Sequence, residues 1–216
     1  MNLSLNEIEA MCKRAARGAG LPWGLAEEAG AAARLLAGVA LPGPEQLAAL
    51  LARNNLRPVA ALAPTAIEGG RWRAAMGRLC PLVSGSALSD RAAQLETGAV
   101  FEMEEVDFPL LLLPFVAAAA QRLDRPVALD WPNIRLVTDG RQICATGTRQ
   151  EMLRDHVPWL RCHAEATLGS ALAPVRRGQV TDDVWAQLST FAHRTYAPAT
   201  EASRLRGAGA GLADND

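Results

Sequence analysis

Hydrophobic and polar positions follow two different periods along the chain, and the change between them divides it. Over the first 56 residues apolar side chains recur at three- and four-residue spacing, as at Leu5, Ile8, Cys12, Ala15 and Ala19, which lines one face of a helix. Ser4 followed by Glu7 is a capping box that starts this helix. Lys13, Arg14 and Arg17 suit its negative end, and Gly18 and Gly20 stop it. Pro22 opens a second helix over 22–36, where Ala29, Ala31, Ala32 and Ala33 permit close packing, and a third is predicted over 44–54. Residues 1–56 are therefore expected to form an all-helical subdomain.

From Leu56 onward glycine pairs, isolated prolines and short runs of β-formers take over. Residues 57–216 are expected to be a mixed α/β domain, docked on the helices to give one compact α+β structure. A strand is expected over 100–106, with one wet face for Glu102, Glu104 and Glu105. Asp139-Gly140 sits between two β-forming runs and predicts a hairpin over 134–145 with a type I′ turn. The apolar run 110–123 reads as a buried helix with Pro114 in its first turns. Thr181 caps a final amphipathic helix over 182–193, whose two aspartates complement its positive end.

Composition changes this picture mainly by exclusion. With 216 residues, 50% hydrophobic and 21% charged, the chain can bury a real core. A net charge of −1 gives no overall pull toward nucleic acid or an anionic membrane. The longest apolar run, 109–120, is too short to cross a bilayer, and the start lacks the apolar region of a signal peptide. Cys12, Cys80, Cys144 and Cys162 lie far apart and read as reduced thiols, so the expected setting is the cytoplasm. Lys13 is the only lysine, which restricts Schiff-base chemistry to one ordinary helical position. The remaining positive charge is arginine, which grips carboxylates and phosphates in two-pronged fashion and leans the reading toward an anionic ligand.

Site-type residues are densest in 195–216. That stretch holds Tyr196, the only tyrosine, with Glu201, Ser203, Arg204, Arg206 and the alternating Gly207, Gly209 and Gly211. Glycines at this spacing free the backbone to turn successive N–H groups onto one anion, and Arg204 and Arg206 would complete such a pocket. The stretch has neither the Lys-Ser/Thr of a phosphate-binding loop nor a full dinucleotide fingerprint, and it equally suits a polar tail. Glu201 is the best acid/base candidate, and with Arg204 three residues on it also reads as a surface ion pair. Trp23, Glu27 and Glu28, at the start of the second helix, are the expected opposite wall of a cleft.

The other candidates are weaker. Asp214 and Asp216 offer oxygen ligands but read as an exposed acidic end, and His156, Cys162 and His163 fit no zinc spacing, so no metal site is assigned. Cys162 reads as a buried thiol, and Ser84 and Ser86 lack a nucleophile elbow. The five tryptophans are scattered like core or interface anchors, and Gly69-Gly70-Arg71-Trp72-Arg73 reads as a turn with exposed arginines.

The stretches SLNEIEAMCKRAARGAGLPWGLAEEAG and TYAPATEASRLRGAGAGLADND resemble the bacterial family of uncharacterised proteins DUF3726, and the resemblance takes in essentially the whole chain. It implies one shared architecture, and it transfers neither an activity nor a catalytic residue. The first forty residues are also weakly similar to the N-terminal helices of the malate/L-lactate dehydrogenase family. That family's Ser-His-Gly motif is missing here, so no nicotinamide chemistry follows and the cofactor stays unknown. Two functional readings result. One is a small-molecule enzyme or metabolite-binding protein for a carboxylate or phosphate, and the other is a non-catalytic interaction protein forming a homo-oligomer.

Overall fold

A computed structural model of the chain describes residues 1–65, 67, 70–75 and 77–196. It opens with a short strand, β1 (Asn2–Ser4), and Ser4 then caps α1 (Leu5–Gly18). The Ser4 hydroxyl accepts from the Glu7 amide while the Glu7 carboxylate accepts from the Ser4 amide, so the capping box forms as expected. α2 (Trp23–Ala37) lays its small side chains on α1. A Cβ on Gly30 would stand 2.8 Å from the Glu9 carbonyl oxygen, an approach that leaves room for glycine alone. α3 (Gly43–Arg53) carries Pro44 in its first turn, where the missing N–H costs nothing, and a single turn, α4 (Val59–Leu62), follows.

The sheet begins with β2 (Pro64–Thr65) and β3 (Arg71–Ala74), and α5 (Pro81–Arg91) carries the chain across to β4 (Val100–Asp107). A 3-10 turn at Pro109–Leu112 leads into α6 (Leu113–Leu123), then β5 (Val127–Trp131), β6 (Ile134–Thr138) and β7 (Ile143–Thr146). A short α7 (Arg149–Met152), β8 (His156–Ala164), β9 (Arg177–Gln179) and α8 (Asp182–His193) complete the described chain. Seven strands form one mixed sheet in the order β2-β3-β4-β8-β5-β6-β7, with β3 and β4 parallel and the other pairs antiparallel. With helices at one end of the sequence and this sheet in the middle, the class is α+β.

One face of the sheet is dry; the other is wet over β3, β4 and β8 and carries a small buried cluster of Ala128, Val137 and Cys144 over β5–β7. Phe101, Met103, Leu129, Leu160 and Cys162 are buried, and α5 and α6 pack on the sheet. On the wet face Glu102 pairs with Arg71 and Arg161, and Glu104 pairs with Arg71 and Arg73. The wet face expected for β4 is therefore a lattice of cross-strand ion pairs. One hydrophobic cluster runs from Ile8 in α1 through Leu36 and Leu47 to Leu129 in the sheet and Phe191 in α8. Arg53 adds a polar joint at the far end of α3, donating to Asp107 Oδ1 at 2.5 Å and Asp155 Oδ2 at 2.9 Å.

Several local expectations need correction. The first 56 residues are not wholly helical, because β1 pairs with β9 in a separate two-stranded sheet. The hairpin forms, but its loop spans 139–142 rather than a two-residue turn. The Asp139 carboxylate accepts from the Arg141 and Gln142 amides and stabilises the wider loop. The helix expected over 110–123 starts as an α-helix at Leu113, since Pro109–Leu112 takes the tighter 3-10 form. Arg71, Trp72 and Arg73 lie in β3 rather than in a turn, with Trp72 fully buried between two exposed arginines.

Candidate functional site

The candidate site is an open cleft of about 830 Å³ where the end of α1, the start of α2 and the end of α8 converge. Its walls carry Arg14, Arg17, Trp23, Asn55, Leu56, Arg194, Thr195 and Tyr196, with Gly18 and Gly20 at its floor. Helical periodicity accounts for the first two. Arg14 and Arg17 lie three apart, on the side of α1 away from its buried Cys12, Ala15 and Ala16. α8 reaches the same place because Gly18 lets it in: a Cβ there would overlap the Phe191 carbonyl oxygen. The Arg194 guanidinium, one residue past the end of α8, donates to Asn55 Oδ1 at 2.7 Å.

The arginines are held in place by neutral partners. Arg14 donates to the Tyr196 hydroxyl at 2.9 Å and to the Ala10 carbonyl, and Arg17 donates to the Leu21 carbonyl. Arg17 also lies over the Trp23 ring at 5.2 Å, and Arg194 over Phe191 at 4.8 Å. Among the described residues none of the three has a carboxylate within salt-bridge distance, whereas most arginines of the sheet do. The cleft is also unusually apolar at its mouth. Trp23 is 60% exposed, Leu56 69% and Tyr196 55%. Leu56 sits at a φ of +56°, where a bulky side chain is rarely found, and its amide is tied to the Ala19 carbonyl.

Two of the residues expected at a site, Trp23 and Tyr196, thus meet in this cleft. Glu27 points elsewhere and pairs with Lys13 at 2.9 Å across α1 and α2. Glu201, Ser203, Arg204, Arg206, Gly207, Gly209 and Gly211 lie outside the described residues. Arg14, Arg17 and Arg194 were missed by the sequence reading, which took the first two as charge complementing a helix end. The signal that could have found Arg14 and Arg17 is their spacing on the face opposite Ile8 and Cys12, and Arg194, just past α8, carries no such signal.

The cysteines and histidines show no comparable arrangement. All four thiols are buried. Burial pushes the Cys12 and Cys162 thiols far up and raises Cys80 to about 11, so none of these three is a ready nucleophile. His156 contacts Glu105 and His163 contacts Asp130 on the wet face of the sheet. Among the described residues that line the cleft there is no carboxylate, histidine or cysteine, and what they offer is charge, aromatic surface and the Tyr196 hydroxyl.

No curated protein and no solved structure matches the chain. The family model described as "Protein of unknown function (DUF3726)" matches residues 3–80. That stretch supplies Arg14, Arg17, Trp23 and Leu56 to the cleft and stops well short of Arg194 and Tyr196. Over residues 3–80 the chain is similar to the DUF3726 family.

Proposed function

We propose that this protein binds a small anionic ligand, a carboxylate or phosphate, in the cleft between α1, α2 and α8. The observation that carries the reading is the set of three arginines held by neutral partners around an open, partly aromatic cleft. Guanidinium groups fixed in this way keep donors for an incoming anion, and their order is already established before binding. Trp23 under Arg17 supplies a flat apolar surface for the rest of the ligand. The buried thiols are in keeping with a cytoplasmic setting.

The test uses Trp23 as its reporter. Inorganic phosphate and citrate, titrated into the full chain at low ionic strength, are expected to change tryptophan fluorescence, and Trp23→Phe is expected to remove that change. Arg14→Ala and Arg17→Ala should each weaken binding about tenfold or more, the worth of one charged hydrogen bond. Unchanged affinity in both variants would dismiss the cleft. A chain ending at Pro198 separates the two anion readings: if it still binds, the cleft suffices, and if it does not, Arg204 and Arg206 are required.

The exposed Trp23, Leu56 and Tyr196 favour one alternative, self-association through the same mouth. Light scattering on the full chain decides it. A dimer that Leu56→Asp converts to monomer supports this alternative, and a strict monomer at high concentration removes it.

A further inference from the structure

The arginine cleft offers more than a bare anion can use. Its volume of about 830 Å³ falls within the roughly 300–1,000 Å³ of pockets that take an organic ligand of drug size, well beyond a single phosphate ion. Arg14 and Arg194 are exposed and Arg17 is half-buried, so a ligand entering from solvent can reach all three. Their hydrogen bonds use Nε or Nη1, and among the described residues no Nη2 of the three has an acceptor. A phosphate monoester, with about two negative charges and three strong acceptor oxygens, matches such a set of donors. Flat apolar surface lies directly beside this charge. The Arg17 guanidinium stands 5.2 Å from the centre of the Trp23 ring, yet Trp23 is 60% exposed, which leaves indole surface for a second planar group.

We propose that the ligand of this cleft is a nucleoside monophosphate, an inference that rests on the anion reading above and names its ligand class. The phosphate lies on the guanidiniums and the base stacks on Trp23. Arg17 ties the two together, because it touches the indole and still has Nη2 to offer. A ligand whose planar ring and phosphate are joined by a short flexible linker, such as a ribose, therefore reaches both at once. A bare phosphate leaves the indole uncovered, and a nucleoside without phosphate leaves the guanidiniums unmatched. Every base has a flat face to stack, so Trp23 selects the class of ligand and not the base.

Calorimetric titration of the full chain with AMP tests this, against ribose 5-phosphate, which lacks the base, adenosine, which lacks the phosphate, and phenyl phosphate, which lacks the sugar. AMP is expected to bind about tenfold or more tightly than ribose 5-phosphate, the worth of one stacked base. It is expected to exceed adenosine by about tenfold or more, the worth of one charged hydrogen bond, and to exceed phenyl phosphate as well. Trp23→Ala should erase the advantage of AMP over ribose 5-phosphate, and Trp23→Phe should keep most of it. Arg17→Ala should weaken both ligands together. Circular dichroism and thermal melts confirm that the variants are folded. The proposal is overturned if ribose 5-phosphate, adenosine or phenyl phosphate binds as tightly as AMP, or if Trp23→Ala keeps the full advantage of AMP. Ribose 5-phosphate binding as tightly as AMP leaves anion binding in the cleft standing. If AMP, inorganic phosphate and citrate all fail to bind the unaltered chain, the anion reading falls with the proposal.

Discussion

Asp107 shows how much one side chain can hold. It is only 3% exposed and accepts hydrogen bonds from Arg53 at 2.5 Å and Arg78 at 3.3 Å. Asp107→Asn removes the charge and keeps the shape, leaving two guanidiniums facing a neutral amide. Breaking a fully buried pair costs roughly 3–5 kcal/mol, and the partly exposed arginines reduce this to about 2–3 kcal/mol here, measurable by urea unfolding. Glu45 acts in the opposite direction. Its folded value is raised, so the stability it contributes is present at acid pH and lost as pH rises through that value. Glu45→Gln is therefore expected to be more stable than the parent near neutral pH, with the advantage shrinking as pH falls toward about 4. The Ser4–Glu7 capping box was legible in the sequence because its partners are three residues apart. Asp107 and Arg53 are 54 apart, and nothing local in either residue announces the pair.

At the scale of elements, contact between α1 and α8 depends on the absence of a single methyl group. Gly18→Ala places a Cβ against the rigid carbonyl of Phe191, so α8 must move away. The expected cost is about 1–3 kcal/mol, read as a lower melting temperature together with weaker anion binding in the cleft. The long helices were legible because their apolar spacing and caps are local signals, and Thr181 caps α8 where expected. Strand β8 was not. It carries Pro158, which demotes a run from strand to loop on sequence grounds, and the exposed Trp159 hides the alternation of Val157, Leu160 and Cys162. The structure tolerates Pro158 opposite Glu105, whose φ of +52° marks a local departure from extended backbone. Of the cleft lining, only Trp23 and Tyr196 were named as candidates from the sequence. Its arginines gain meaning only when two helices far apart in sequence are brought together.

At the scale of the whole molecule, the depressed carboxylates contribute to the loss of stability in acid. The bond from Arg53 lowers Asp155, the Arg141 and Gln142 amides lower Asp139, and the Ala166 amide lowers Glu165. Groups of this kind stabilise the fold above their unfolded values and lose that contribution as pH falls through the folded ones. Urea unfolding should therefore show nearly constant stability around neutral pH, apart from the opposing Glu45 contribution, and a decline below about pH 4. A kinetic consequence follows from the pairing of β1 with β9 and of α1 with α8. Arg177 bonds to Asn2 across 175 residues, and both pairings close very long loops, which are formed slowly. The arginine cleft exists only once those loops have closed. In a variant keeping Trp23 as its sole tryptophan, stopped-flow refolding is expected to place the Trp23 signal in the slowest phase, at a rate that phosphate does not change. The binding surface would then be the last part of the molecule to mature.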